Sequence, residues 1–189
     1  MKYTPACSLV IMPPKETWDQ FVEIKKNHMN PKIKRPPYPH ITLLQTFVEK
    51  EYFDQVFDIL STELKKIQPF KCSINEFKLF KNKKSQTLYL DPICDPPDSF
   101  NKLYKIVKES FPEIKTQTEF NAHMGIGYFN DLKLSQNLLE KYQNDWVPIE
   151  FIVKEIYINF REDIDAPFSP RKIIHLGHDN TPSYNDIIN

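Results

Sequence analysis

"YPHITLLQTF" at residues 38–47 is followed, eighty-odd residues on, by "FNAHMGIGYF" at 120–129, and the likeness of the two decides how the chain is read. In each, a histidine stands in a short apolar run of strand character. Alternate side chains of a strand share a face. His40 and Thr42 therefore oppose Ile41 and Leu43, while His123 and Gly125 oppose Met124 and Ile126. The histidine face is not simply the core face. An imidazole needs hydrogen-bond partners when buried, and an apolar residue would serve packing better.

Working outward, the flanking segments repeat too. "CSLVIMPP" (7–14) and "QTLYLDPI" (86–93) are apolar runs closed by proline and read as strands, with Pro13 falling 79 positions before Pro92. Behind them, 15–28 and 98–111 place Trp18, Phe21, Val22 and Ile24, then Phe100, Leu103, Ile106 and Val107, at helical spacing. His40 precedes His123 by 83 positions, and Pro69 precedes Pro148 by 79, so one insertion and one compensating deletion separate the halves. Residues 51–67 and 131–146 read as second helices, 69–80 and 148–160 as alternating strands. Each half is thus strand, helix, His-strand, helix, strand.

The expected fold is α+β: a bilobal duplicated unit with two antiparallel sheets around a central groove and helices outside. Residues 1–177 form the domain, with lobe repeats at about 7–80 and 86–160. "PRKIIHLG" (170–177) adds a strand and 178–189 a polar tail.

The 189 residues, 40% of them hydrophobic, suffice for a real core, and 25 basic against 25 acidic residues give no overall field for coating long nucleic acid. A short or terminal substrate is compatible with that balance. Cys7, Cys72 and Cys94 show no CxxC spacing, against a disulfide framework or zinc knuckle, which points to a reducing compartment. The apolar start is too short for a signal peptide, and no stretch approaches spanning length. A cytoplasmic protein is expected, with the nucleus as the alternative, acting as a monomer and away from membranes.

A lone strand histidine is usually structural, satisfied by a neighbouring carbonyl. Two at equivalent positions of a duplicated unit favour function, because imidazole exchanges protons in both directions near neutrality. Paired imidazoles suit the splitting of a phosphodiester. One takes the proton of the attacking hydroxyl and the other protonates the leaving oxygen.

"PHITL" (39–43) and "HMGIG" (123–127) resemble the two signatures of the two-histidine phosphoesterases, the 2′-5′ RNA ligase-like superfamily, whose pattern is His, any residue, Thr or Ser, apolar residue. The likeness extends over roughly 7–177, through "SLVIMPPKETWDQFVEIKKNH", "QTLYLDP" and "EIYINFRED". It implies that His40 and His123 are an acid–base pair, that Thr42 hydrogen-bonds the phosphate, and that no metal or other cofactor takes part. The implied substrates are 2′,3′-cyclic phosphates, 2′-5′ linkages or terminal RNA phosphodiesters, that is, an RNA end or small nucleotide. Gly125 departs from the pattern, since it has no hydroxyl. Losing one pre-positioned donor can slow such chemistry by ~10²- to 10³-fold.

Around the motifs, Lys32, Lys34 and Arg35 are either a local positive field or a solvated loop. Tyr38 and Tyr128 are candidates to stack on a base or to pack at the rim. Arg161 matches an arginine of that family in position, which implies a contact to phosphate or base, the alternative being an ion pair with Glu162 or Asp163. His175 reads as structural, His28 and His178 as surface residues, and "KLFKNKK" (78–84) as a basic hairpin-like link between the halves, a solvated turn rather than an RNA grip. The leading reading is a metal-independent phosphodiesterase, the alternative a catalytically weak RNA-end or nucleotide-binding module. A two-histidine metal hydrolase is disfavoured, because neither motif is HxH, HxD or HExxH.

Overall fold

The computed structural model describes residues 1–28, 38–81, 85–114, 120–163 and 166–177. Lys32, Lys34, Arg35, the tip of the basic link, His178 and the tail lie outside the described residues. In chain order come β1 (Tyr3–Ile11), α1 (Trp18–Lys26), β2 (Ile41–Val48), α2 (Phe53–Leu64), β3 (Phe70–Lys81), β4 (Gln86–Asp95), α3 (Ser99–Ser110), β5 (Met124–Phe129), α4 (Leu132–Asp145), β6 (Ile149–Val153), β7 (Glu155–Phe160) and β8 (Ser169–His175). Asp131 caps α4 by accepting from the Lys133 and Leu134 amides.

Two antiparallel four-stranded sheets result, β2-β1-β7-β8 and β5-β4-β3-β6, with four α-helices among the described residues, giving the α+β architecture expected. The halves are interleaved. β3, from the first half, pairs with β4 of the second, and β7, from the second, pairs with β1 of the first. The segment 148–160, expected as one strand, is two: Val153 pairs with Phe70 in one sheet, while Glu155 pairs with His175 in the other. Only Lys154 intervenes, so the chain changes sheets within a pattern that alternates almost without interruption. β4 runs past Pro92, where closure was expected. That proline lies beside a register shift and beyond the part of β4 that β5 covers, where a missing N–H is tolerated.

The exchange leaves β2 and β5 as edge strands, and those two edges touch one another. Each carries a bulge at the same place. In β2, Thr42 pairs with Val10 and Leu44 with Leu9, leaving Leu43 extra; in β5, Gly125 pairs with Tyr89 and Gly127 with Leu88, leaving Ile126 extra. The extra residue falls three positions after each histidine. Bulges re-aim side chains and terminate pairing, and they concentrate beside active sites.

Ile41, Leu43, Met124 and Ile126 are buried in one continuous core with Leu9, Ile11, Phe77 and Leu90. α2 closes this core against β8, and α4 against β3. The Trp146 indole donates to the Ile74 carbonyl (2.8 Å), fixing the end of α4 to β3. The helices thus occupy the face that Ile41 and Met124 enter. Thr42 and Gly125 are left, half-buried, on the other.

Candidate active site

Neither histidine lies within its strand; each is the residue before it, since β2 starts at Ile41 and β5 at Met124. The reason is local. His40 Nδ1 bonds the Tyr38 carbonyl at 2.9 Å, and His123 Nδ1 bonds the Asn121 carbonyl at 2.9 Å. A carbonyl oxygen only accepts, so Nδ1 carries the hydrogen in both rings. In the neutral ring Nε2 then bears the lone pair. The backbone thereby sets one tautomer twice, by the same i−2 bond, and leaves Nε2 of each ring turned away from that bond.

The rings are electrostatic neighbours. His40 is exposed on the groove side, yet the surrounding protein desolvates it, and this burial is the largest cause holding its pKa below the ordinary imidazole value. The bond to Tyr38 opposes that effect, while the charges of Lys25 and His123 add to it. His123 stands edge-on to Phe80 and Tyr89, at 5.2 and 6.0 Å between centroids. Those two rings stack on each other at 3.9 Å, which gives the imidazole a rigid aromatic wall.

Thr42 lies two residues after His40, half-buried on its face, and Gly125 occupies the equivalent place after His123. A Cβ at Gly125 would meet nothing within 4 Å, so open space fronts the position where the motif expects a hydroxyl. Tyr128 pairs with Thr87, on the face of Tyr89 and Gly125, and is 79% exposed. Tyr38 packs its ring against Trp18 at 5.1 Å and supplies its carbonyl to His40.

Arg161 is not brought to the histidines. Its amide bonds the Ala6 carbonyl, whereas His40 adjoins the Ile11 end of β1, on the order of 16 Å away along a strand. Its guanidinium lies over the Phe168 ring (5.0 Å), while Glu162 pairs with Lys50 and Arg171. His175 pairs with Glu155 at 3.5 Å. His28, read as a surface residue, is instead packed: its Nε2 bonds the Tyr142 hydroxyl at 2.6 Å, and its ring lies against Phe129. Gly127 permits this, since a Cβ there would stand 3.0 Å from His28 Cβ.

One residue was missed. Lys25, at the end of α1, donates from Nζ to the Gly125 carbonyl at 2.7 Å. Burial lowers its pKa to about 8. Its signal was its position, because Trp18, Phe21, Lys25 and His28 follow the spacing of one helix face, and Phe21 is buried. α1 is held in place by Gln20, whose amide donates to the Val147 carbonyl and accepts from its N–H.

Among the described residues, no group of three or more His, Cys, Asp and Glu side chains is placed to hold a metal ion, and no helix is long and apolar enough to cross a membrane. A cavity of about 410 Å³ beside Pro13, Trp18 and Tyr157 includes neither histidine.

In this α+β fold each of the two touching edge strands is preceded by an imidazole locked by the carbonyl two residues back. The model of the 2′-5′ RNA ligase superfamily matches residues 13–164, and the chain belongs to that superfamily, a group of phosphoesterases and RNA ligases. Among solved structures, TT0787 of Thermus thermophilus is similar at 12% identity and a TM-score of 0.62, covering 92% of this chain and 99% of that one. E. coli LigT complexed with 3′-AMP is similar at 14% identity and 0.60, covering 93% and 99%. Kluyveromyces marxianus Usb1 is similar at 11% identity and 0.52, covering 92% and 98%. At these identities the likeness is one of fold. Among curated proteins, none matches the sequence.

Proposed function

We propose that the protein is a metal-independent phosphodiesterase of RNA ends or small nucleotides, acting on a 2′,3′-cyclic phosphate or a 2′-5′ linkage through His40 and His123. The observation that carries this reading is the duplicated lock, a ring fixed by the carbonyl two residues back in both halves. Structural histidines have no reason to repeat a tautomer and a bulge together.

In this mechanism the neutral ring is His40, whose environment disfavours charge. Its Nε2 takes a proton from water as the water oxygen attacks phosphorus. His123, as the imidazolium, gives its Nε2 proton to the departing ribose oxygen as the P–O bond breaks. The Thr42 hydroxyl donates to a non-bridging oxygen, and the exposed Tyr128 ring offers a face to a base. The protein works as a monomer in the cytoplasm or nucleus on this reading, and the 3′-AMP with which LigT is complexed fits the substrate class.

A pH profile follows. A base must be deprotonated, so kcat/KM falls as pH drops through the His40 pKa, and that limb lies below the ~6.5 of a free imidazole. Beyond burial, the charged groups among the described residues that act on His40 are Lys25 and His123, both of which lower its pKa. A profile without limbs between pH 5 and 8, measured in EDTA, contradicts the mechanism.

The function is tested by offering 2′,3′-cyclic mononucleotides, 2′-5′-linked dinucleotides and RNA with terminal phosphodiesters to the wild type and to a His40→Ala/His123→Ala double variant. One class should be cleaved by the wild type alone. Binding without cleavage of any of them favours the recognition module, for which Gly125 is the motivating feature.

A further inference from the structure

Lys25 poses a problem of charge balance. Its ammonium is half-buried, and no carboxylate lies within ion-pair distance of it among the described residues. Its neighbours are a carbonyl and imidazoles: it bonds Gly125 O, and its charge is felt at His28 and His40. Burying a cation without a counter-charge is costly, and helix α1 shows that the alternative was open, because Lys26, one residue on, faces solvent and pairs with Glu23. Lys25 instead occupies the stripe of Trp18 and Phe21 and reaches across to the edge of β5. There it meets the one residue that lacks the motif hydroxyl. In a chain with equal numbers of acidic and basic residues, this corner collects bases and, among the described residues, no acid within ion-pair distance of Lys25.

We propose that Lys25 is the second phosphate donor of this site, binding the non-bridging oxygens of the substrate phosphate from the edge of β5 in place of the hydroxyl absent at Gly125. An ammonium has three donors, and the Gly125 carbonyl uses one of them. That bond holds Nζ beside the second motif, and two donors remain for an anion. The open space in front of Gly125 is where the phosphate oxygens fit, since among the described residues neither Lys25 nor any other group beyond the adjoining residues lies within 4 Å of a Cβ placed there. A bound anion also supplies the missing counter-charge. The inference rests on the phosphodiesterase reading but not on turnover: an anion site at Lys25 serves a recognition module equally.

The test is binding of inorganic phosphate, followed by calorimetry, in wild type, Lys25→Met and Lys25→Arg, with the melting temperature of each. Methionine keeps the stem and removes the charge. Affinity for phosphate should fall about tenfold to a hundredfold in Lys25→Met with the melting temperature unchanged or raised, and Lys25→Arg should recover part of it. In Lys25→Met/Gly125→Thr the new hydroxyl should restore part of the lost affinity, and by a larger factor than Gly125→Thr gives in the wild type, because the two donors serve one anion. Unchanged phosphate affinity in Lys25→Met overturns the proposal, as does a wild type that binds no phosphate. If the wild type binds phosphate through Lys25 but cleaves no phosphodiester, the lysine site stands and the hydrolase reading falls.

Discussion

Replacing either His40 or His123 with alanine should lower kcat on the cleaved phosphodiester by about 10²-fold or more, and leave nucleotide binding within a fewfold of wild type. In the proposed mechanism each ring moves one proton in the transition state, and neither is the main holder of the phosphate. Folding should be little affected, because both residues lie on the open side of their sheets and precede the strands. The lost bonds run to carbonyls two residues back, in loops that water reaches. The two variants should also resemble each other and their combination. Removing either member of a unit that acts together forfeits most of what both supply. A kcat that survives in either variant while binding collapses would make that histidine a recognition residue.

Gly125→Thr should raise turnover, by up to about tenfold. The new hydroxyl stands after His123 as Thr42 stands after His40, each at the position before a bulge. A donor aimed at charge that grows in the transition state acts on rate more than on binding. Two features of the position favour the substitution. The Cβ enters free space, and the backbone lies outside the left-handed region, so a β-branched residue on this edge strand carries no strain. The gain stays below the ~10²- to 10³-fold of a lone missing donor because Lys25 already serves the same phosphate. A Gly125→Thr protein of unchanged melting temperature and lower kcat/KM would mean that the glycine makes room for a substrate group.

The duplication was legible because the chain spells it out in composition: proline-closed strands, helical stripes and a histidine at nearly constant offset. Those features are local, and local features survive in sequence. Strand exchange is not local. The hairpin-like link at 78–84 hints that β3 will pair with β4, but nothing in residues 155–160 says that β7 will cross to β1, because ladder partners are chosen by the whole core. The break at Lys154 was hidden for a related reason, since alternation reads the same through a change of sheet. The histidines were visible as a pair, but their placement one residue outside the strands depends on the bonds to Tyr38 and Asn121. Lys25 and His28 were passed over because a lysine in the last turn of a helix is well explained by the dipole, and a histidine beyond it by solvent. Only the close approach of α1 to β5, which Gly127 allows, turns both inward.

The central claim is that the two imidazoles address a single phosphate. It is tested most directly by a crystal structure with adenosine 3′-monophosphate bound. One phosphate is expected, its oxygens within hydrogen-bond distance, about 2.7–3.0 Å, of Nε2 of both His40 and His123. A phosphate held by one ring alone, with the other too far to reach any of its oxygens, would contradict the claim.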